Sequence, residues 1–180
     1  MTRNLIVKSK TKQLIRASDP MLAASIIVTT LCIFTAIFST YSNNFYQSLG
    51  IILFLRSPAI SVLGFSLFTL SILMGWFASA QLKESWRVGV HDNQKTQLIQ
   101  NGIYQYVRNP YFDSYFIMFV SLFLVRPSLV MIVLVAITIS IFHLIVLKEE
   151  RHLLRSHGTQ YEEYNGMTGR YIPRFTKKRS

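Results

Sequence analysis

The chain has 180 residues, 51% of them hydrophobic and 15% charged, with 19 Lys and Arg against 8 Asp and Glu and a net charge of +11. A soluble domain carries about a quarter charged residues, and disordered chains pair high net charge with few apolar residues, so both classes are excluded. Nucleic-acid-binding domains set basic residues among polar positions on a soluble fold; here long apolar blocks separate the charges, which points to a membrane partner and away from nucleic acid. The single cysteine, Cys32, lies inside an apolar block and leaves neither a disulfide framework nor a cysteine-based metal site, and no metal is expected.

In chain order, Arg3, Lys8, Lys10, Lys12 and Arg16 precede an uncharged apolar run from Met21 to Tyr41. That run is too long for the apolar core of a signal peptide and no convincing small-residue cleavage site follows, so it reads as an uncleaved anchor. Phe45 to Leu55 is apolar but too short to span, and fits a surface or loop position. Ala59 to Ala80 is a second uncharged span. The third is shorter: Asn109 is placed to cap it, Pro110 suits its first turn, and Val125 ends it before Arg126-Pro127. From Pro110 to Val125 the rise is about 24 Å at ~1.5 Å per residue, less than a ~30 Å hydrocarbon core. Its start therefore lies below one membrane face, or the bilayer thins there. Ser128 to Leu147 is the fourth span, with His143 its only ionisable group. The expected fold is all-α: a multi-pass transmembrane bundle of about four spans (21–41, 59–80, 110–125, 128–147), forming one membrane domain over residues 1–180.

The distribution of basic residues sets the expected topology. Of the 19, 17 fall in residues 1–20, 81–109 and 148–180, and 2 fall in 42–58 and 126–127. By the positive-inside rule both termini and the 81–109 loop face the cytosol. The expected location is thus an integral, multi-pass protein of the plasma membrane in a bacterium or of the endoplasmic reticulum in a eukaryote. Loop and C-terminal tail meet at one membrane face, where an aqueous cofactor must bind.

Those two segments hold the unusual residues. Glu149 and Glu150 follow a membrane helix, where the negative end of the helix dipole disfavours carboxylates. A cationic or hydrogen-bond-donating ligand such as a sulfonium or ribose would compensate them; so would a salt bridge to Lys148, Arg151, Arg155 or Arg108. Asn109 and Pro110 are satisfied as a helix start, and Asp113 in the first turn suits the dipole. His143 lies about two turns below Glu150 on the same face, and an intramembrane ionisable group is either functional or a packed, satisfied histidine. Tyr161, Tyr164 and the Lys177-Lys178-Arg179 end read as interfacial contacts with lipid.

Together the two segments resemble the isoprenylcysteine carboxyl methyltransferase and phospholipid methyltransferase superfamily of integral membrane enzymes. The family pattern runs approximately L-x-x-x-G-x-Y-x-x-x-R-[HN]-P-x-Y before one span, then E-E-x-x-L-x-x-x-x-G-x-x-Y-x-x-Y and R-x-x-P after the next. This chain matches at Leu98, Gly102, Tyr104, Arg108, Asn109, Pro110, Glu149, Glu150, Leu153, Gly158, Tyr161, Tyr164, Arg170 and Pro173. The resemblance covers about residues 85 to 175. It implies an S-adenosylmethionine-dependent methyltransferase whose cofactor site comprises Thr96, Gln97, Leu98, Ile99, Gly102, Tyr104, Asn109, Pro110, Tyr111, Phe112 and Glu149; beside it, His143, Glu150 and Arg108 are the expected catalytic residues. The acceptor would be a lipid, or a lipid-modified small molecule or protein, methylated on a carboxylate oxygen or a headgroup nitrogen. An ammonium acceptor must first lose a proton, which His143 or a carboxylate of the Glu149-Glu150 pair could take.

The chain departs from the carboxyl methyltransferases at Thr96 and Asn109, where they usually have His, at Phe112 for Tyr, at Ser114 for Gly, and at Ile145 for an arginine of eukaryotic members. These changes weaken prenylcysteine as a substrate. Two other readings are an NADPH-dependent oxidoreductase like the membrane sterol reductases, which share the C-terminal tyrosine and proline pattern but lack paired glutamates there, and a non-catalytic membrane protein of the same fold. A soluble S-adenosylmethionine fold is excluded because no Gly-rich loop follows a strand.

Overall fold

A computed structural model describes residues 20–82 and 98–174. Within them the chain forms α1 (Pro20–Tyr41), α2 (Asn43–Ser48), α3 (Pro58–Leu82), α4 (Pro110–Val125), α5 (Leu129–His157) and α6 (Thr159–Met167), with 3₁₀ turns at Leu53–Leu55 and Gly102–Gln105. Regular structure is all-α, as expected. α1, α3 and α5 are long and apolar enough to cross a membrane, and α4 is a shorter apolar helix of 16 residues.

The bundle is packed inside out relative to a soluble protein. Ile26, Phe34, Val62, Phe65, Trp76, Phe77 and Val133 are exposed, whereas Ser25, Thr35, Ser39, Ser71, Ser121 and Thr138 are buried. In hydrocarbon there is no gain in hiding large apolar side chains from the solvent, so small residues that let backbones approach take the helix contacts. α4 is central, touching α1, α3 and α5. Its largest contact is with α3, where Gly64 lies against Leu124 and Val125, and Gly75 against Ser114; a Cβ on Gly64 would come within 2.8 Å of Val125 Cγ2. α1 packs on α5, with the buried Cys32 Sγ 3.4 Å from Thr138 Oγ1. Phe119 and Phe142 meet edge to face at 5.4 Å between α4 and α5.

Three local features differ from the sequence expectation. α5 does not end near Leu147 but continues to His157, because Lys148 to His157 retain strong helix formers, with Arg155 and His157 suiting the last turn. At about 44 Å for 29 residues it outreaches a ~30 Å core, and its polar end carries Glu149 and Glu150 beyond the apolar run. Gly158, at φ +54°, stops it in a conformation that a residue with Cβ adopts only with strain. Asn109 stands at the N-terminus of α4 but makes no side-chain cap; its amide is spent elsewhere. The Phe45 to Leu55 stretch is structured: Ser42 caps α2, and residues 49–52 fold over the α4–α5 turn through Leu129 N–H to the Gly50 carbonyl (2.8 Å) and Ile52 N–H to the Pro127 carbonyl (3.1 Å).

Candidate functional site

At the other end of the bundle, the segment before α4 and the segment after α6 are laced together. Gly102, at φ +63°, opens the 3₁₀ turn so tightly that a Cβ there would collide with the Gln81 side chain, while Gln81 Oε1 accepts the Ile103 N–H at 2.8 Å. The Tyr164 hydroxyl donates to the Tyr104 carbonyl at 2.6 Å, and Tyr104 reaches back to the Ala78 carbonyl at 3.5 Å. Val107 and Gly169 pair as an isolated parallel bridge, with Arg108 N–H donating to the Gly169 carbonyl at 2.8 Å. Residues 168–174 thus form a strap across the mouth between α4 and α5.

Glu150 is the hub of this lacing. Its Oε1 accepts from Arg108 Nε at 3.2 Å and from Asn109 Nδ2 at 3.0 Å; its Oε2 accepts from Arg170 Nε at 2.9 Å and pairs with the Arg170 Nη2 at 2.8 Å. Arg108 also donates to the carbonyls of Asn165 and Thr168, and Asn109 to that of Arg170 at 3.4 Å. The carboxylate, two guanidiniums and an amide from three separate segments form one part-buried network, which offsets the desolvation of each charge only because every member is paired. Of the salt-bridge partners expected from the sequence, Arg108 pairs with Glu150. Arg170, known beforehand only as a family match, is the second.

Glu149 is the opposite case. It is half-buried, and among the described residues no hydrogen bond or ion pair engages it. It lies close enough to Tyr104 to act on its phenol: burial first, then the Glu149 charge, pushes that group well above the usual tyrosine range. Tyr161 and Tyr164, expected to face lipid, are buried and stack edge to face at 6.1 Å. Burial, with a further contribution from Glu150, raises Tyr161 to about 12. The spacing that suggested an interfacial pair instead faces the network, because α6 folds back onto α5 beyond Gly158.

His143 makes a contact of its own with the strap. Its Nδ1 lies 2.8 Å from the Tyr171 hydroxyl, and Tyr171 packs against Phe116 with ring centroids 5.2 Å apart. One turn earlier on the Phe116 face of α4 is Asp113, only 7% exposed, whose Oδ2 has no hydrogen-bond partner among the described residues. Burial lifts the Tyr171 phenol to about 12, with Glu150 and Asp113 adding to the rise against Arg170 and Arg108. Asp113, Tyr171 and His143 therefore converge beneath the strap. Sequence reasoning passed over Asp113 as a helix-dipole residue; the overlooked signal was an acid at the mouth of an apolar helix.

The remaining expected residues divide plainly. Pro110 is buried at the start of α4; Tyr111 and Tyr115 share a hydroxyl contact of 2.9 Å; Phe112 packs on Phe142 at 6.2 Å. Leu98 and Ile99 are half-buried beside the 3₁₀ turn, and Thr96 and Gln97 lie outside the described residues. With its amide bound to Glu150 and the strap, Asn109 holds the site together from within.

A family model described as phospholipid methyltransferase matches residues 59–160, which takes in α3, the 3₁₀ turn, Arg108, Asn109, Asp113, His143 and both glutamates. Comparison with curated proteins finds no match. The family match spans more than half of the chain and covers the helices that frame the laced mouth; the chain belongs to the phospholipid methyltransferase family, membrane methyltransferases that act on lipid.

Proposed function

We propose that the protein takes S-adenosylmethionine as methyl donor and a membrane lipid with an amine headgroup as acceptor. The observation that carries this reading is the buried Asp113 Oδ2 near Tyr171, without a hydrogen-bond partner among the described residues, together with the half-buried Glu149 near Tyr104, which no described residue pairs, while Glu150 is fully paired. An acid held away from water without a partner is costly, and a ligand bearing donors or positive charge removes that cost. S-adenosylmethionine offers ribose hydroxyls, an amino group and a sulfonium, so the donor set fits. Glu149, Leu98, Ile99, Gly102, Tyr104 and Pro110 to Phe112 would hold it, together with Thr96 and Gln97. When bound, it supplies an electrophilic methyl group.

The chain's own residues do the rest. Asp113 attracts and orients a cationic headgroup and disfavours a carboxylate acceptor by like charge. An ammonium nitrogen must shed a proton before its lone pair can form the new N–C bond; His143, positioned by Tyr171, takes that proton. Arg108 and Glu150, expected as catalytic, act by positioning the loop and strap around the headgroup, and the strap excludes water.

The test is incubation of detergent-purified protein with methyl-labelled S-adenosylmethionine and mixed membrane lipids. Label in amine-bearing lipids, lost in Glu149→Ala and Asp113→Asn, is expected. Label released by base as methanol would mean a carboxyl acceptor. Tight NADPH binding without S-adenosylmethionine binding would replace the methyltransferase reading with a reductase.

A further inference from the structure

Far from the laced mouth, at the α4–α5 turn, the structure holds a second charged constellation. Arg56, just before α3, and Arg126, just after α4, approach the ring of Tyr46, with guanidinium carbons 6.0 Å and 5.1 Å from its centroid. Tyr46 is fully buried and donates its hydroxyl to the Pro127 carbonyl at 3.3 Å, so the ring is a fixed platform for both cations. Beside it is a cavity of about 220 Å³ lined by Thr40, Tyr46, Arg56, Ser61, Phe65 and Arg126. That is room for several waters or one compact anion.

The charges here are unbalanced. The sequence has no Asp or Glu from 20 to 83 or from 114 to 148, and among the described residues neither arginine has a carboxylate partner. Two guanidiniums gathered on one ring repel each other until an anion bridges them. Both arginines stand at the ends of apolar helices, Arg56 just before α3 and Arg126 just after α4, and Phe65 on the cavity wall continues onto the exposed apolar face of α3.

We propose that Arg56, Arg126 and Tyr46 form a binding site for the phosphate of a phospholipid headgroup, separate from the methyl-transfer site and at the opposite end of the bundle. The guanidiniums take the phosphate oxygens, the hydroxyls of Thr40 and Ser61 flank the headgroup, and the acyl chains run down α3 past Phe65. This site goes beyond the function proposed above and stands without it.

The test is thermal unfolding in a neutral maltoside detergent, titrated with dihexanoyl-phosphatidylglycerol, with uncharged dihexanoylglycerol and with inorganic phosphate, in the wild type, R56Q/R126Q, R56K/R126K and the control R155Q. The phospholipid should raise Tm saturably in the wild type and R155Q, at least tenfold more weakly in R56Q/R126Q, and to an intermediate degree in R56K/R126K, which keeps the charge but not the fork. An equal response in R56Q/R126Q, or inorganic phosphate acting at the same concentration as the lipid, would overturn the proposal. Should R56Q/R126Q not fold, native mass spectrometry of the wild type decides: one retained phosphatidylglycerol supports the site, and none overturns it. Methyl-transfer activity enters neither readout, so failure of this site and failure of the methyltransferase reading are separable.

Discussion

The two ends of the bundle use arginine in opposite ways. At the strap end Arg108 and Arg170 converge on one carboxylate, Glu150, and the charges close on themselves. At the turn end Arg56 and Arg126 converge on an aromatic ring and no acid is near in sequence. The first arrangement is internal structure; the second is complete only with something from outside. The difference teaches that a basic residue near a membrane says little by itself, and that the sign of its nearest partner separates a staple from a receptor.

That contrast can be broken most forcefully at Glu150. Glu150→Ala leaves two guanidiniums without their carboxylate and the Asn109 amide without its better acceptor, and should cost about 3–5 kcal/mol, seen as a collapse of thermal stability in detergent. If it unfolds no earlier than the wild type, the staple reading fails. Next is Asp113→Asn, which keeps shape but removes the headgroup's counter-charge: kcat/KM toward an amine lipid should fall by about 100-fold, with Tm unchanged or raised. Gly102→Ala forces a side chain into Gln81 at a positive φ and should cost about 1–3 kcal/mol, measured by the same unfolding scan. The smallest expected effect is R56Q/R126Q without lipid, which should leave stability within about 1 kcal/mol of the wild type, because relief of the repulsion between the two guanidiniums offsets the lost contacts with the Tyr46 ring. A large loss there would turn the receptor into a second staple.

Much of this was legible in the residues. The short third span was bounded at Pro110 and Val125 because proline and the Arg126-Pro127 break are strong local signals, and the structure starts and ends α4 at the same residues. The end of α5 was not: apolar content marks where a membrane stops, whereas a helix continues as long as its residues favour it, here to Gly158. In the candidate site, Arg108 and Glu150 were recognisable as unusual, but their meeting spans 42 positions and depends on the strap. Asn109 looked like a cap because its neighbour is proline, yet a buried carboxylate is a better acceptor for its amide than the role of capping offers. The significance of Asp113 was hidden for the converse reason: an acid in a first helical turn has a sufficient local explanation, and only packing shows that its Oδ2 is buried and unpartnered among the described residues. The Tyr46 platform could not be read at all, since it joins residues 46, 56 and 126 through tertiary contact alone.

The strap also has a consequence in time. Residues 168–174 follow every span in the chain, so during N-to-C synthesis the helices are already made while the mouth between α4 and α5 is still open. Arg170 and Tyr171, which close the Glu150 network and position His143, arrive last. A chain cut short before residue 170 lacks both the Arg170 pairing with Glu150 and the Tyr171 contact with His143, so the mouth is stitched only when the last segment is in place.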